Sequence, residues 1–89
     1  MAAREQQLET AQRTLQQGDF AGGLAQAEAL LAETPEDAEA LYIAAVAARY
    51  LKRPELAESY LARLHTQMPE YGRAWQEAGH LARSRGDKA

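Results

Sequence analysis

Residues 30–37 read LLAETPED and residues 64–71 read LHTQMPEY, two versions of one segment placed 34 residues apart. In each, a leucine is followed five positions later by a proline: Leu30 and Pro35, then Leu64 and Pro69. Proline disfavours helical angles at the residue before it, so each segment predicts the end of one helix and a turn into the next. A fixed period of this length is typical of a solenoid, whose stacked units bury apolar faces that none could bury alone.

The same period relates residues on both sides of these turns. Ala11 recurs as Ala45, and the Gly18-Asp19 step recurs two periods later as Gly86-Asp87. Four positions of the middle segment recur once: Leu41, Ala44, Ala45 and Ala48 return as Trp75, Ala78, Gly79 and Ala82. We therefore divide the chain into two full units, residues 4–37 and 38–71, and the first helix of a third in residues 72–89.

The composition predicts helices throughout, because alanine is abundant and no run of β-branched residues is present. We expect five helices, over about residues 3–17, 20–33, 38–51, 54–67 and 72–85. Asp37 is placed to cap the third, and Pro54 suits the first turn of the fourth. The predicted fold is all-α: one domain over residues 1–89, formed by antiparallel helix pairs in a right-handed α-solenoid.

Composition also limits the cellular setting. The chain has no cysteine, which excludes disulfides and thiolate metal sites and fits a reducing cytoplasm. Residues 1–19 are polar, and the longest apolar run, residues 41–48, is far shorter than the roughly 20 residues that span a bilayer. We therefore expect a soluble protein with no membrane partner.

The net charge of −3 conceals an asymmetry between the two halves of the chain. Residues 1–40 carry two basic and eight acidic groups, a net charge of −6, whereas residues 41–89 carry eight basic and five acidic groups, a net charge of +3. An acidic chain is a poor candidate for binding phosphate backbones, so no nucleic-acid partner is expected. The basic half could attract a small acidic partner.

No catalytic or metal-binding pattern is evident in the sequence. An enzyme needs a nucleophile, a base and an orienting group around one pocket, or a metal with several ligands. Glu77 and His80 lie three residues apart on one helix, but a metal site needs three or four ligands. We predict no enzyme activity, no metal and no cofactor. His65 is expected to interact with a helix C-terminus, and Trp75 to pack the fifth helix against the fourth.

The repeated positions resemble those of the tetratricopeptide repeat family. The family's first-helix pattern of large and small side chains is matched by Leu41, Ala44, Ala45 and Ala48, and again by Trp75, Ala78, Gly79 and Ala82. Its second-helix pattern is matched by Gly23, Ala27, Leu30 and Pro35, and again by Ala57, Leu61, Leu64 and Pro69. The resemblance covers two full repeats and the first helix of a third, and it implies a module that binds proteins or peptides.

In that family, the opposite face of the first helices lines a concave groove. The corresponding residues of the first helix are Glu5, Leu8, Gln12, Leu15 and Gln16. The peptide-binding groove implied in the other two first helices consists of Tyr42, Val46, Arg49, Tyr50, Arg73, Gln76, His80 and Arg83, with Glu39 and Ser84 beside them. Tyrosine and arginine are often the energetically important residues at interfaces. We therefore predict an acidic peptide ligand with an apolar or aromatic anchor.

Three other interpretations were considered. Family members that bind the acidic tails of heat-shock chaperones carry lysine and asparagine where this chain has Leu8, Gln12 and Ile43, which makes that role unexpected. The chain could instead be an accessory domain of a larger enzyme, such as a bacterial transferase whose catalytic part follows Ala89. It could also be a structural module that associates weakly with itself through the fifth helix, where Ala74 and Leu81, together with Ala78, are expected to lack a neighbour.

Overall fold

The computed structural model describes residues 3–84, which form five α-helices and contain no β-strand. In chain order these are α1 (Ala3–Gln16), α2 (Phe20–Glu33), α3 (Ala38–Tyr50), α4 (Pro54–Gln67) and α5 (Gly72–Ser84). The predicted all-helical class and helix boundaries are confirmed to within one residue. Arg85, at the predicted end of the fifth helix, and the Gly86-Asp87 step lie outside the described residues. None of the helices in residues 3–84 has the length and apolar character needed to cross a membrane.

Aspartate side chains fix the start of two helices. Asp19 accepts a hydrogen bond from the Gly22 amide at the start of α2 (2.9 Å), and Asp37 accepts one from the Ala40 amide at the start of α3 (3.0 Å). Both satisfy backbone donors that have no partner inside the helix. The predicted cap at Asp37 is therefore confirmed.

Helices α1 and α3 end in the same kind of turn, one repeat period apart. Gly18 and Lys52 both adopt left-handed backbone angles, with φ of 89° and 62°. The amide that follows each donates to the carbonyl five residues back, at 3.1 Å from Asp19 and 2.9 Å from Arg53. This is the Schellman arrangement, in which a left-handed residue closes the helix. Gly18 adopts these angles readily because glycine has no side chain, whereas Lys52 adopts the same angles with one.

Helix α3 is the centre of the fold, because it contacts each of the other four helices. Its buried residues are Ala40, Leu41, Ile43, Ala44, Ala45, Val46, Ala47 and Ala48. Five of these eight are alanine, and small side chains allow neighbouring helices to approach closely from several directions. The hydrophobic core therefore lies around α3, with α2 on one side and α4 on the other.

Gly23 lies at a close contact between α1 and α2. The glycine is buried, and a Cβ atom built on it would lie 3.3 Å from Leu15 Cδ1 and 3.6 Å from the Ala11 carbonyl oxygen. A methyl group here would require the Leu15 side chain to shift by a few tenths of an ångström. Close packing against α1 thus accompanies a residue of weak helix propensity at this position.

One prediction for α5 is confirmed in part and one is wrong. Trp75 packs α5 against α4 as expected, by stacking on His65, but it is 56% exposed, whereas its repeat equivalent Leu41 is fully buried. The residues expected to lack a neighbour have one: Ala74 is fully buried and Leu81 is 4% exposed. The reason is that α5 turns Ala74 and Leu81 toward α3 and α4, and within residues 3–84 no further helix covers the side that carries Trp75.

We expect Ala45→Leu to lower the free energy of unfolding by about 1 to 3 kcal/mol, because the fully buried Ala45 leaves no room for a larger side chain. Urea denaturation followed by circular dichroism measures the change. Ala25→Leu, at an exposed position of α2, is the matched control and should stay within about 0.5 kcal/mol of wild type. Equal stability of the two variants would contradict the packing of α3.

We expect Lys52→Gly to stabilise the protein by about 0.5 kcal/mol or more. The left-handed conformation costs a residue with a side chain about 1 to 2 kcal/mol, whereas the added freedom of glycine in the unfolded chain costs about 0.5 to 1 kcal/mol. The reciprocal variant Gly18→Ala has free space for its methyl group, so it tests backbone strain alone and should destabilise. A melting temperature that falls for Lys52→Gly would argue against the strained turn.

Candidate peptide-binding surface

The first helices of the three units lie next to one another, since α3 contacts both α1 and α5. We define the first-helix surface as the side chains that α1, α3 and α5 present where these three helices lie next to one another. The contacts bring together residues separated by about one repeat in sequence. Two clusters, one at Glu39 and one at Arg49, connect the helices across this surface.

The Glu39 cluster joins all three first helices through one carboxylate. Glu39 of α3 accepts hydrogen bonds from Gln12 Nε2 of α1 (3.1 Å), from the Tyr71 hydroxyl just before α5 (2.7 Å) and from Arg73 Nη2 of α5 (3.0 Å). Arg73 and Tyr71 also hydrogen-bond to each other. With three donors around it, the half-buried Glu39 carboxylate fixes the position of α5 relative to α3.

Aromatic rings extend this cluster. The Tyr42 and Tyr71 rings lie 6.0 Å apart between centroids, and the Arg73 guanidinium lies over both, at 4.8 and 5.0 Å. Burial, together with the hydrogen bond to Glu39, raises the pKa of Tyr71 to about 12, and burial and the charge of Glu77 raise the pKa of Tyr42. Both phenols therefore remain neutral over the physiological pH range.

The Arg49 cluster connects α3 to α5 through an ion pair. Arg49 Nε and Nη2 donate to the two carboxylate oxygens of Glu77, the second at 3.3 Å. Glu77 is only 2% exposed, so its charge depends on this partner. Although burial disfavours a charged guanidinium, the hydrogen bond from Arg49 to Glu77 and the nearby negative charge raise the pKa of Arg49.

A stack of rings lies on the other side of Arg49. Its guanidinium lies 4.4 Å from the centre of the Tyr50 ring, and that ring stacks on Phe20 of α2, with centroids 4.4 Å apart and planes 6° apart. Tyr50 nevertheless remains 50% exposed. The stack holds an accessible aromatic side chain in a fixed position at the end of α3.

These contacts show how the arginines of the predicted groove are partnered. Arg49 is paired with Glu77, Arg73 with Glu39, and Arg83 Nη2 lies 3.0 Å from His80 Nδ1. Two of the three charges assigned to an acidic peptide are therefore already neutralised within the fold. An acidic ligand stays a prediction, and ion pairing within the fold leaves less free positive charge to attract it.

The predicted groove residues differ in accessibility. Val46 is 8% exposed and Tyr42 is half-buried, so both contribute mainly to packing. The exposed members are Tyr50, Arg73, Gln76, His80 and Arg83. The accessible part of the first-helix surface thus lies mostly on α5 and the last turn of α3.

Sequence reasoning missed the roles of Tyr71 and Phe20. Tyr71 belongs to the predicted turn between units, and Phe20 is the first residue of the predicted second helix. One signal for the Glu39 cluster was present, because Glu39 and Arg73 occupy equivalent positions of consecutive units and carry opposite charges. Residues at equivalent positions of neighbouring repeats lie close together, so opposite charges there predict a contact.

His65 and Trp75 form a separate contact between α4 and α5. Their rings stack with centroids 3.9 Å apart, and the indole nitrogen donates to the Pro69 carbonyl at 2.8 Å. The ring of His65 thus packs on an indole, a contact that the sequence analysis did not anticipate. Trp75 does connect α5 to α4, but from the surface rather than from the core.

The described residues offer no grouping that could hold a metal ion. Glu77, considered as one ligand together with His80, has both carboxylate oxygens bound to Arg49. The arrangement on the first-helix surface is instead one of stacked rings and paired charges. Such a surface offers ring faces and hydrogen-bonding groups for contact with a peptide or a helix.

Comparison with known proteins found no matching protein-family model, no similar curated protein and no similar solved structure.

We expect Glu77→Ala to destabilise the protein by about 3 kcal/mol, because it leaves the Arg49 guanidinium, which is largely buried, without a partner. The double variant Arg49→Met with Glu77→Leu replaces both charges by apolar groups of similar size and should recover to within about 1 kcal/mol of wild type. Chemical denaturation of the single and double variants measures the coupling. If the double variant loses as much free energy of unfolding as its two single substitutions together, the two residues do not interact.

Proposed function

We propose that this chain is a tetratricopeptide-like interaction module, formed by two full repeats and the first helix of a third. Three observations support the proposal. The 34-residue period is present in the sequence, helices that follow one another in the chain pack together, and the turns at Gly18 and Lys52 recur one period apart with the same hydrogen bonds. Such modules bind protein segments through surfaces formed by several repeats.

The proposed binding site is the first-helix surface, and the fixed aromatic stack at the end of α3 is the observation that carries the proposal. Tyr50 is half-exposed yet held between Phe20 and Arg49. A side chain that is already ordered loses little conformational entropy when a ligand binds. Tyrosine also combines apolar area with a hydroxyl group that hydrogen-bonds.

The paired arginines indicate the kind of ligand. Because Glu39 and Glu77 neutralise Arg73 and Arg49, attraction to charge contributes little. Contact with the Tyr50 ring and hydrogen bonds to Gln76 and His80 remain available. We therefore propose that the ligand is a peptide or a short helix that presents an aromatic or aliphatic anchor, and that its net charge is of secondary importance.

Selection from a displayed peptide library on the purified chain tests this function, and the enriched peptide then serves as the probe. Its affinity is measured by fluorescence anisotropy for wild type, Tyr50→Ala and Gln76→Ala. We expect Tyr50→Ala to weaken binding by about 1 kcal/mol or more, as for an interface anchor. Gln76→Ala should produce a smaller loss.

Gln67→Ala is the matched control, because Gln67 is an exposed glutamine on the second helix of its unit. Its affinity for the probe should equal that of wild type. A library that yields no enriched peptide contradicts the proposal. So does a peptide whose binding is reduced by Gln67→Ala and left unchanged by Tyr50→Ala.

A further inference from the structure

A cavity of about 380 Å³ lies beside the end of α3, the start of α4 and the last turn of α5. Its volume falls within the range of about 300 to 1,000 Å³ that is usual for ligand pockets. The residues that line it come from three helices and one turn: Arg49, Tyr50, Lys52, Pro54, Leu81 and Ser84. Tyr50, the proposed anchor of the first-helix surface, therefore also forms part of the wall of a cavity.

The preceding unit fills the equivalent place with two aromatic rings. There Phe20, the first residue of α2, stacks on Tyr50, the last residue of α3, with centroids 4.4 Å apart. One period later the same places hold Pro54, the first residue of α4, and Ser84 at the end of α5. These two side chains are much smaller, so a cavity lies where the preceding unit has a stack. The space is suited to an aromatic ring from another molecule.

Lys52 supplies the cavity with a free positive charge. Arg49, the other basic residue in the lining, is paired with Glu77. The Lys52 side chain is exposed and has no hydrogen bond or ion pair with any residue in the described part of the chain. A carboxylate bound at the cavity can therefore pair with its ammonium group.

The backbone at Lys52 is an independent reason to assign this side chain a role. Its φ of 62° is left-handed, and Gly18 forms the same turn one period earlier without a side chain. A side chain in this conformation costs stability. Residues held in such conformations cluster at functional sites. A lysine on the wall of a cavity, at a position where glycine would be more stable, points to a function for its ammonium group.

We infer that this cavity binds an aromatic side chain of the ligand, and that Lys52 pairs with an aspartate or glutamate next to that aromatic residue. The inference rests on the proposed function and adds to it the place of the anchor and one local charge. The ring contacts Tyr50 and Leu81 and occupies the space that the second unit leaves unfilled. A single carboxylate at Lys52 agrees with a ligand whose net charge is of secondary importance.

Nuclear magnetic resonance titration of the isotope-labelled chain with short peptides tests the site. The probe is acetyl-Asp-Phe-Asp-amide, in which acidic residues flank the ring on both sides. For so small a ligand we expect a dissociation constant in the millimolar range, with the largest shifts at amides that line the cavity. Replacing both aspartates by asparagine should weaken binding about twofold to fivefold. Replacing the phenylalanine by leucine should weaken it at least about twofold.

A fourth peptide separates the two sources of a carboxylate. Acetyl-Asn-Phe with a free terminal carboxylate should bind no better than the asparagine peptide. If it binds as tightly as the probe, the carboxylate belongs to a chain terminus, and the assignment to an acidic side chain is overturned.

Lys52→Gly separates binding from folding. It should raise the free energy of unfolding, as argued for the turn, and still weaken binding of the probe about twofold to fivefold. Binding of the asparagine peptide should not change. A role in folding alone does not produce these opposite effects. Arg53→Gln, which removes an exposed charge one residue away and outside the cavity lining, is the matched control and should bind the probe like wild type.

Ser84→Tyr tests the space itself, because it restores the residue type that the preceding unit has at this place. The new ring should fill the cavity and abolish binding of the probe. Ser59→Tyr, at an exposed position of α4 outside the cavity lining, is the matched control and should leave binding unchanged.

Circular dichroism establishes that each variant is folded before its affinity is interpreted. The inference is overturned if the probe does not bind, or if Lys52→Gly and Ser84→Tyr bind it like wild type. A library peptide that depends on Tyr50 but is unaffected by both substitutions overturns this inference alone and leaves the proposed function in place. Failure of the proposed function is recognised separately, by a library peptide whose affinity Tyr50→Ala leaves unchanged.

Discussion

The enclosure of α3 is the constraint on which the rest of this structure depends. A helix that contacts four others has most of its surface buried, and five of its eight buried residues are alanine. Alanine permits close contact in several directions at low cost in helix stability. The position of each other helix depends on how closely it can approach α3. Small side chains also permit close contact elsewhere, as at Gly23 between α1 and α2.

Enclosure also determines where the charges of α3 can lie. Its two charged residues, Glu39 and Arg49, lie at opposite ends, and each pairs with a residue of α5. The two pairs have opposite polarity, since α3 supplies the acid in one and the base in the other. Reversing the direction of α5 or sliding it by one turn would bring like charges together. Polar contacts thus determine the register of a helix whose apolar contacts alone would allow several positions.

Much of the fold could be predicted from sequence because its signals are local. Helix boundaries follow from Asp37, Pro54 and the proline that ends each unit, and these act within one turn of the chain. The exposure of Trp75 could not be predicted in this way, since burial at that position depends on whether another helix covers it. Pairing of Arg49 with Glu77 joins residues 28 positions apart, which no local rule anticipates. Several predicted binding residues therefore lie next to one another in the fold, but two of their charges, those of Arg49 and Arg73, are paired within it.

The central position of α3 has a consequence for local motion. Opening α1 or α5 disrupts contacts with two helices, whereas exposing the backbone of α3 requires the separation of all four neighbours. Amide protons of α3 should therefore exchange with solvent only through global unfolding, while those of α1 and α5 exchange through smaller openings. Regions that open readily are also the regions that a bound molecule can order. The outer helices α1 and α5 are thus accessible to a bound molecule, and their amide protons can become better protected from exchange when it binds.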